Sequence, residues 1–168
     1  MPIVTADIPI TWESCDRMIR EIVKTYPFCR TEVIGSTAFQ RNLRTLVIGN
    51  GPRKVFYSAA HHANEWITAT ILLKFAEELA KAAKEGGKVW GVPAETMLKY
   101  ATVHLFPMVD PDGVDLVTGA LPQDTYPYQK ARDMAAFFIE LNKHMFLQTA
   151  EGFLHPAQGQ RQVHADVA

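Results

Sequence analysis

The stretch His61-His62-Ala63-Asn64-Glu65-Trp66-Ile67-Thr68 decides how this chain is read. Within it, His62 and Glu65 set an imidazole and a carboxylate three positions apart. A turn that feeds a helix at this point brings both side chains to one side, one above the other. Imidazole nitrogen and carboxylate oxygen are both ordinary zinc ligands, at roughly 2.0–2.2 Å. Val55-Phe56-Tyr57-Ser58-Ala59-Ala60 leads in as an apolar run, and an apolar helix pattern leads out. The pair therefore belongs where a buried strand ends and a helix begins, a usual place for a site in an α/β protein. The spacing alone does not make a metal site, because His and Glu three apart also occur on solvated helix faces.

Outward from that stretch, the pattern alternates between helices and strands. Thr11 is the expected N-cap of a first helix of about 14 residues, with Trp12, Cys15, Ile19, Ile22, Val23 and Tyr26 on one stripe. Pro27 stops it. Strands are expected over about 31–39, 43–48 and 54–60. Gly49-Asn50-Gly51-Pro52 reads as a turn that joins the second and third into a hairpin, so the sheet is mixed. A helix follows from Glu65 to Lys84, with Ile67, Leu72, Phe75, Ala76, Leu79 and Ala83 inward. Lys74, Glu77, Glu78, Lys81 and Lys84 fall largely on its outer side, and Gly86-Gly87 is its C-cap. A short helix over 93–100, a strand over 101–109, a loop over 110–123 and a last helix from Pro127 to about Phe146 complete the pattern. Beyond about Thr149 no period is visible. The expected organisation is one domain over residues 1–150 and an irregular tail over 151–168.

A chain of 168 residues can bury a real core, and 48% hydrophobic with 21% charged residues is ordinary globular composition. The net charge of −1 and the lack of a basic run give no support for a nucleic-acid or anionic-membrane partner. The opening residues show no basic start followed by an apolar run, and no apolar stretch is long enough to span a bilayer. A cytoplasmic protein, or a piece of one, is the expectation. Cys15 and Cys29 lack metal-type spacing and read as two reduced, partly buried thiols, with a disulfide left open.

A second motif lies downstream: Leu105-Phe106-Pro107-Met108-Val109, then Asp110-Pro111-Asp112-Gly113 and Val114-Asp115-Leu116-Val117. Together with HHANEWIT it resembles the zinc carboxypeptidase family, the one containing carboxypeptidases A and B. The Pro9-Ile10-Thr11-Trp12-Glu13 opening, the Tyr26-Pro27-Phe28 turn and the Gly49–Val55 segment are similar to its bacterial γ-D-glutamyl-diamino-acid peptidases, which cut cell-wall peptides. The likeness runs from about residue 7 to about residue 132. It implies an α/β fold, a mixed twisted sheet flanked by helices, covering only the N-terminal part of the family's domain.

The resemblance also implies roles. His62 and Glu65 become the first two ligands of a catalytic zinc, and the reaction becomes hydrolysis of a peptide bond. The family's third ligand, a histidine, and its general base, a glutamate, lie further downstream, and no counterpart of either can be placed here. The catalytic base is thus expected to be absent. The chain reads as a truncated member, with a frameshift near residues 131–149 as the suggested origin. His164 is the outside candidate for a third ligand; His61, His104, His144 and His155 fit less well. Asn64 stands where some relatives carry a substrate-binding arginine, so its amide could still bond a peptide. Trp66 is expected to pack in the core that orients Glu65. Asp110 replaces the family's usual asparagine and can make the same Asx-type turn. Asp110, Asp112 and Asp115 do not fit a calcium loop, since glycine comes fourth, not sixth.

Two functions stay open: a zinc metallocarboxypeptidase acting on peptides, and an inactive remnant that binds zinc or peptide weakly. Half a sheet would leave an edge uncovered, so self-association is a further expectation. A serine hydrolase is set aside, because Ser58 lacks the GxSxG elbow. No glycine-rich loop has the lysine and helix context that phosphate binding needs.

Overall fold

The computed structural model describes residues 2–126, 128–137 and 140. The chain divides into two compact units, Met1–Pro122 and Gln123–Ala168. In the second, residues 128–137 are helical, within the expected last helix; the rest of that expectation beyond residue 140 lies outside the described residues. Among the described residues no helix is long and apolar enough to cross a membrane.

The first unit opens with helix α1, Trp12–Thr25, started as expected by Thr11. The Thr11 hydroxyl accepts the Ser14 amide and the Ser14 hydroxyl accepts the Thr11 amide, a reciprocal cap. Cys15, Met18, Ile19 and Ile22 form its buried face. Cys15 and Cys29 are buried free thiols, both pushed up to about 12 by burial.

Strands β1 (Cys29–Ser36), β2 (Asn42–Ile48), β3 (Arg53–Ser58) and β6 (Ala101–Phe106) form one sheet in the order β1-β2-β6-β3. β1 ends earlier than expected, because Thr37–Arg41 closes a tight turn in which the Thr37 amide donates to the Arg41 carbonyl at 2.9 Å. β1 and β2 pair antiparallel, β2 and β6 antiparallel, β3 and β6 parallel. The mixed sheet is as expected, but the expected hairpin between β2 and β3 is wrong: β6 lies between them. Two causes are visible. β6 carries four buried residues in six and belongs in the middle, where both faces are covered. The Gly49–Pro52 segment does not fold back on β2; it runs under the end of helix α3 (Ala94–Tyr100), where the Asn50 and Gly51 amides donate to the Leu98 carbonyl at 3.3 and 3.1 Å. Gly49, at φ +88°, lies so close that a Cβ would sit 2.7 Å from the Ala101 carbonyl oxygen.

Helix α2, Trp66–Glu85, ends as expected in a left-handed Gly86. Its inward face is turned slightly from the expected one: Ala69, Thr70, Leu73, Ala76, Leu79 and Ala80 are buried, while Ile67 is exposed. Glu77 corrects the sequence reading more sharply. Its carboxylate is buried and accepts the amides of Ile3 and Val4 at 2.6 and 3.2 Å, with Lys74 at 3.1 Å. The segment before α1 thus docks on a side chain that periodicity assigns to solvent. Two short strands, β4 (Lys88–Val89) and β5 (Val92–Pro93), follow α2 as a small hairpin that the sequence did not announce. The expected 110–123 loop contains a further helix, α4, Pro111–Val117. Asp110 caps it by accepting the Gly113 amide at 3.0 Å, and Pro111 takes the first helical position, where its missing N–H costs nothing.

Candidate metal centre

β3 ends at Ser58, and the chain turns sharply through the buried residues Ala59 and Ala60. Ala60 is left-handed, at φ +47°. A side chain other than glycine's pays roughly 1–2 kcal/mol for that backbone. Four hydrogen bonds impose it. The Ala59 amide donates to Phe106 and the Ala59 carbonyl accepts from Val109, at 3.0 and 3.1 Å. The Ala60 carbonyl accepts the Asp110 amide at 3.0 Å, and the Ala60 amide donates to the Thr68 hydroxyl at 2.8 Å. The strand ends of β3 and β6 thus hold a corner whose exit is the histidine pair.

His61 leaves the corner toward Ser58, with Nε2 2.8 Å from its hydroxyl oxygen. His62 is extended and precedes a single 3-10 turn, Ala63–Glu65, that runs into α2. In a 3-10 turn residues i and i+3 eclipse. His62 Nδ1 accordingly lies 2.8 Å from Glu65 Oε1, and the His62 amide donates to Glu65 Oε2 at 3.3 Å. Both side chains are open to solvent, 77% for His62 and 42% for Glu65. Asn64 lies exposed between them, and Trp66 is half-buried against the core at the start of α2.

Electrostatics ties the two donors together. The hydrogen bond and charge of Glu65 raise the His62 pKa, with Asp110 adding to the effect. The hydrogen bond from His62 lowers the Glu65 pKa. A metal bound between the two would compete with the proton on that hydrogen bond. An imidazole and a carboxylate facing each other on a rigid turn suit two positions of a zinc site. Among the described residues no group of three His, Cys, Asp or Glu side chains could hold an ion, so the pair has no third donor there. His104 sits half-buried in β6, opposite Val47 and Phe56, as a strand histidine should. His144, His155 and His164 lie outside the described residues.

α4 supports the turn from below. A Cβ on Gly113 would lie 2.9 Å from the Ala63 methyl, so only glycine lets the helix approach this closely. Behind α4 stands an ionic cluster absent from the sequence reading. Arg41 pairs with Asp112 at 3.1 Å and with Asp115 at 2.9 Å, its guanidinium over the Trp12 ring. Asp112 also accepts from Thr37, and Asp115 from the Trp12 amide at 2.7 Å. Burial raises the Asp115 pKa against the pull of Trp12 and Arg41. Arg41 carried no recognisable motif. Thr68 and Ala60 were also missed, since neither residue type at that place is distinctive.

Comparison with known proteins identifies the family. A family model described as zinc carboxypeptidase matches residues 15–157. The chain is 34% identical over 104 residues to γ-D-glutamyl-L-diamino acid endopeptidase 1 of Lysinibacillus sphaericus, covering 62% of this chain and 26% of that protein. It is 33% identical over 104 residues to the uncharacterized protein YqgT of Bacillus subtilis, covering 61% and 28%. The chain therefore spans about a quarter of the length of these relatives. Among solved structures, thrombin-activatable fibrinolysis inhibitor aligns with a TM-score of 0.58 at 19% identity, over 68% of this chain and 29% of that one. Carboxypeptidase A of Helicoverpa armigera aligns with 0.51 at 16%, over 71% and 27%. At such identities the likeness is one of fold.

Proposed function

This chain is a member of the zinc carboxypeptidase family, and on that premise we propose that His62 and Glu65 are two donors to a catalytic zinc in a peptide hydrolase. The observation that carries the reading is the 2.8 Å approach of His62 Nδ1 to Glu65 Oε1 on a turn held from two sides. Bound there, zinc would polarise a peptide carbonyl and acidify a water. The chain's own residues orient the donors: Thr68 and Asp110 hold the corner before His62, and Trp66 anchors the helix after Glu65. Asn64, exposed between the donors, is the proposed contact for a peptide amide. The substrate class is cell-wall peptides with a γ-D-glutamyl bond, a reading supported by the named activity of the Lysinibacillus relative. The test is zinc content together with hydrolysis of a γ-D-glutamyl-diamino-acid peptide by the purified chain and by His62→Ala. Stoichiometric zinc and turnover in the parent, both lost in the variant, support the proposal. A parent that retains no zinc refutes it.

A second reading rests on the lack of a third donor among the described residues. It is a non-catalytic protein that holds zinc or peptide weakly, since two protein donors leave the other positions to water. Zinc retained without hydrolysis would select it. Under either reading β3 is an edge strand among the described residues, with Phe56 61% and Tyr57 44% exposed. An unpaired apolar edge is a template for pairing, and self-association through it is part of the proposal. Phe56→Lys should shift the chain toward monomer in light scattering; an unchanged mass would remove β3 from the interface.

A further inference from the structure

We propose that Thr68 is a positioning residue for the His62–Glu65 pair, its single hydroxyl tying the strained corner before His62 to the backbone of Glu65. The inference rests on the reading of that pair as zinc donors. The Thr68 oxygen accepts the Ala60 amide at 2.8 Å and donates its proton to the Glu65 carbonyl at 2.7 Å. A hydroxyl has one proton and two lone pairs, so one group can do both. The two anchored residues flank the donors: Ala60 stands two before His62, and Glu65 is itself the second donor.

The other bonds to this corner come from the backbone of Phe106, Val109 and Asp110, on the β6 side. Thr68 is the bond from α2. Without it the left-handed Ala60 is held from one side only, and the 3-10 turn is free to rotate away from the strand end. The His62–Glu65 contact depends on the angle between those two segments. Thr68 touches neither ring nitrogen nor carboxylate oxygen; it acts through the backbone.

The test uses the full chain with Thr68→Val, which keeps the shape and removes both bonds, and Thr68→Ser, which keeps the hydroxyl. The first readout needs no metal: the imidazole 15N resonances of His62 in chelator-treated protein. In Thr68→Val they should move toward those of a free imidazole, and Thr68→Ser should keep the parent's. Unchanged resonances in Thr68→Val overturn the proposal. The second readout is zinc affinity by chelator competition, expected to fall about 10- to 100-fold in Thr68→Val, the range for partners that orient ligands, and to recover in Thr68→Ser. If Thr68→Val does not fold, it is made in an Ala60→Gly background, where glycine takes the left-handed backbone freely; the His62 resonances must still be displaced. Equal zinc binding by the parent and His62→Ala would overturn the zinc reading itself, while the metal-free resonances still judge whether Thr68 sets the pair.

Discussion

Two clusters of paired charges lie at or beside α4, and they are built differently. Arg41, Asp112 and Asp115 are shielded from solvent, and Thr37 and the Trp12 amide take up further carboxylate bonding capacity. His62 and Glu65 face solvent, bond chiefly to each other, and follow a residue with an unfavourable backbone. The first cluster joins three distant segments and is closed on itself. The second joins residues three apart and leaves donor capacity unused. A charged group whose bonds are all internal serves the fold; one held rigid with open coordination is available to a ligand.

Four substitutions test that contrast. Arg41→Ala should have the largest effect, because it leaves the buried Asp115 carboxylate without its cation; a loss of about 3–5 kcal/mol is expected and is read by urea unfolding. A loss below about 1 kcal/mol, the value of an exposed pair, would erase the difference between the clusters. Glu77→Ala comes next, at about 2–3 kcal/mol, through two amides left without their acceptor. Glu77 also gives the sign of the acid response. Its folded pKa is lowered, with amides of Ile3 and Val4 and the Lys74 ammonium outweighing burial. Its stabilisation is therefore present above the carboxylate's ordinary value near 4.5 and is lost as pH falls through the folded one. Unfolding midpoints between neutral and acid pH should drop in the parent more than in Glu77→Ala, and parallel curves would disprove the assignment.

Ala60→Gly should act in the other direction, a gain of about 0.5 kcal/mol as relief of left-handed strain outweighs the added chain entropy. A net loss would mean that the methyl packs better than the backbone suffers. His62→Ala should change stability least, leaving the urea midpoint close to the parent's, while removing zinc retention. The raised His62 pKa has its own sign: whatever the pair adds to stability is full below the free histidine value and fades as pH rises through the folded one. Zinc retention should run the opposite way, climbing as His62 loses its proton. Retention that falls with rising pH over that interval would exclude His62 as a ligand.

Much of the candidate site was legible because its parts are close in sequence. The His62/Glu65 spacing, the Asp110 turn and the Gly86 cap each express contacts within a few residues. The clamp by Thr68 was equally local, but a threonine in a first helical turn is common and announces nothing. The misplaced hairpin has another cause. Gly49-Asn50-Gly51-Pro52 has the composition of a tight turn, yet its amides are taken by Leu98, nearly fifty residues on.

The sequence by itself determined where α1 starts and α2 ends, that His62 and Glu65 meet, and the family to which that pair points, since capping, periodicity and i, i+3 geometry act over single turns of chain. Only the tertiary structure decided the order β1-β2-β6-β3, the burial of Glu77 and the closing of Asp112 and Asp115 on Arg41. Ile3 lies 74 positions from Glu77, and Arg41 lies 71 from Asp112. At such separations no local preference selects the partner; packing does, by choosing which strand is apolar enough for the middle and which charges must then be buried together.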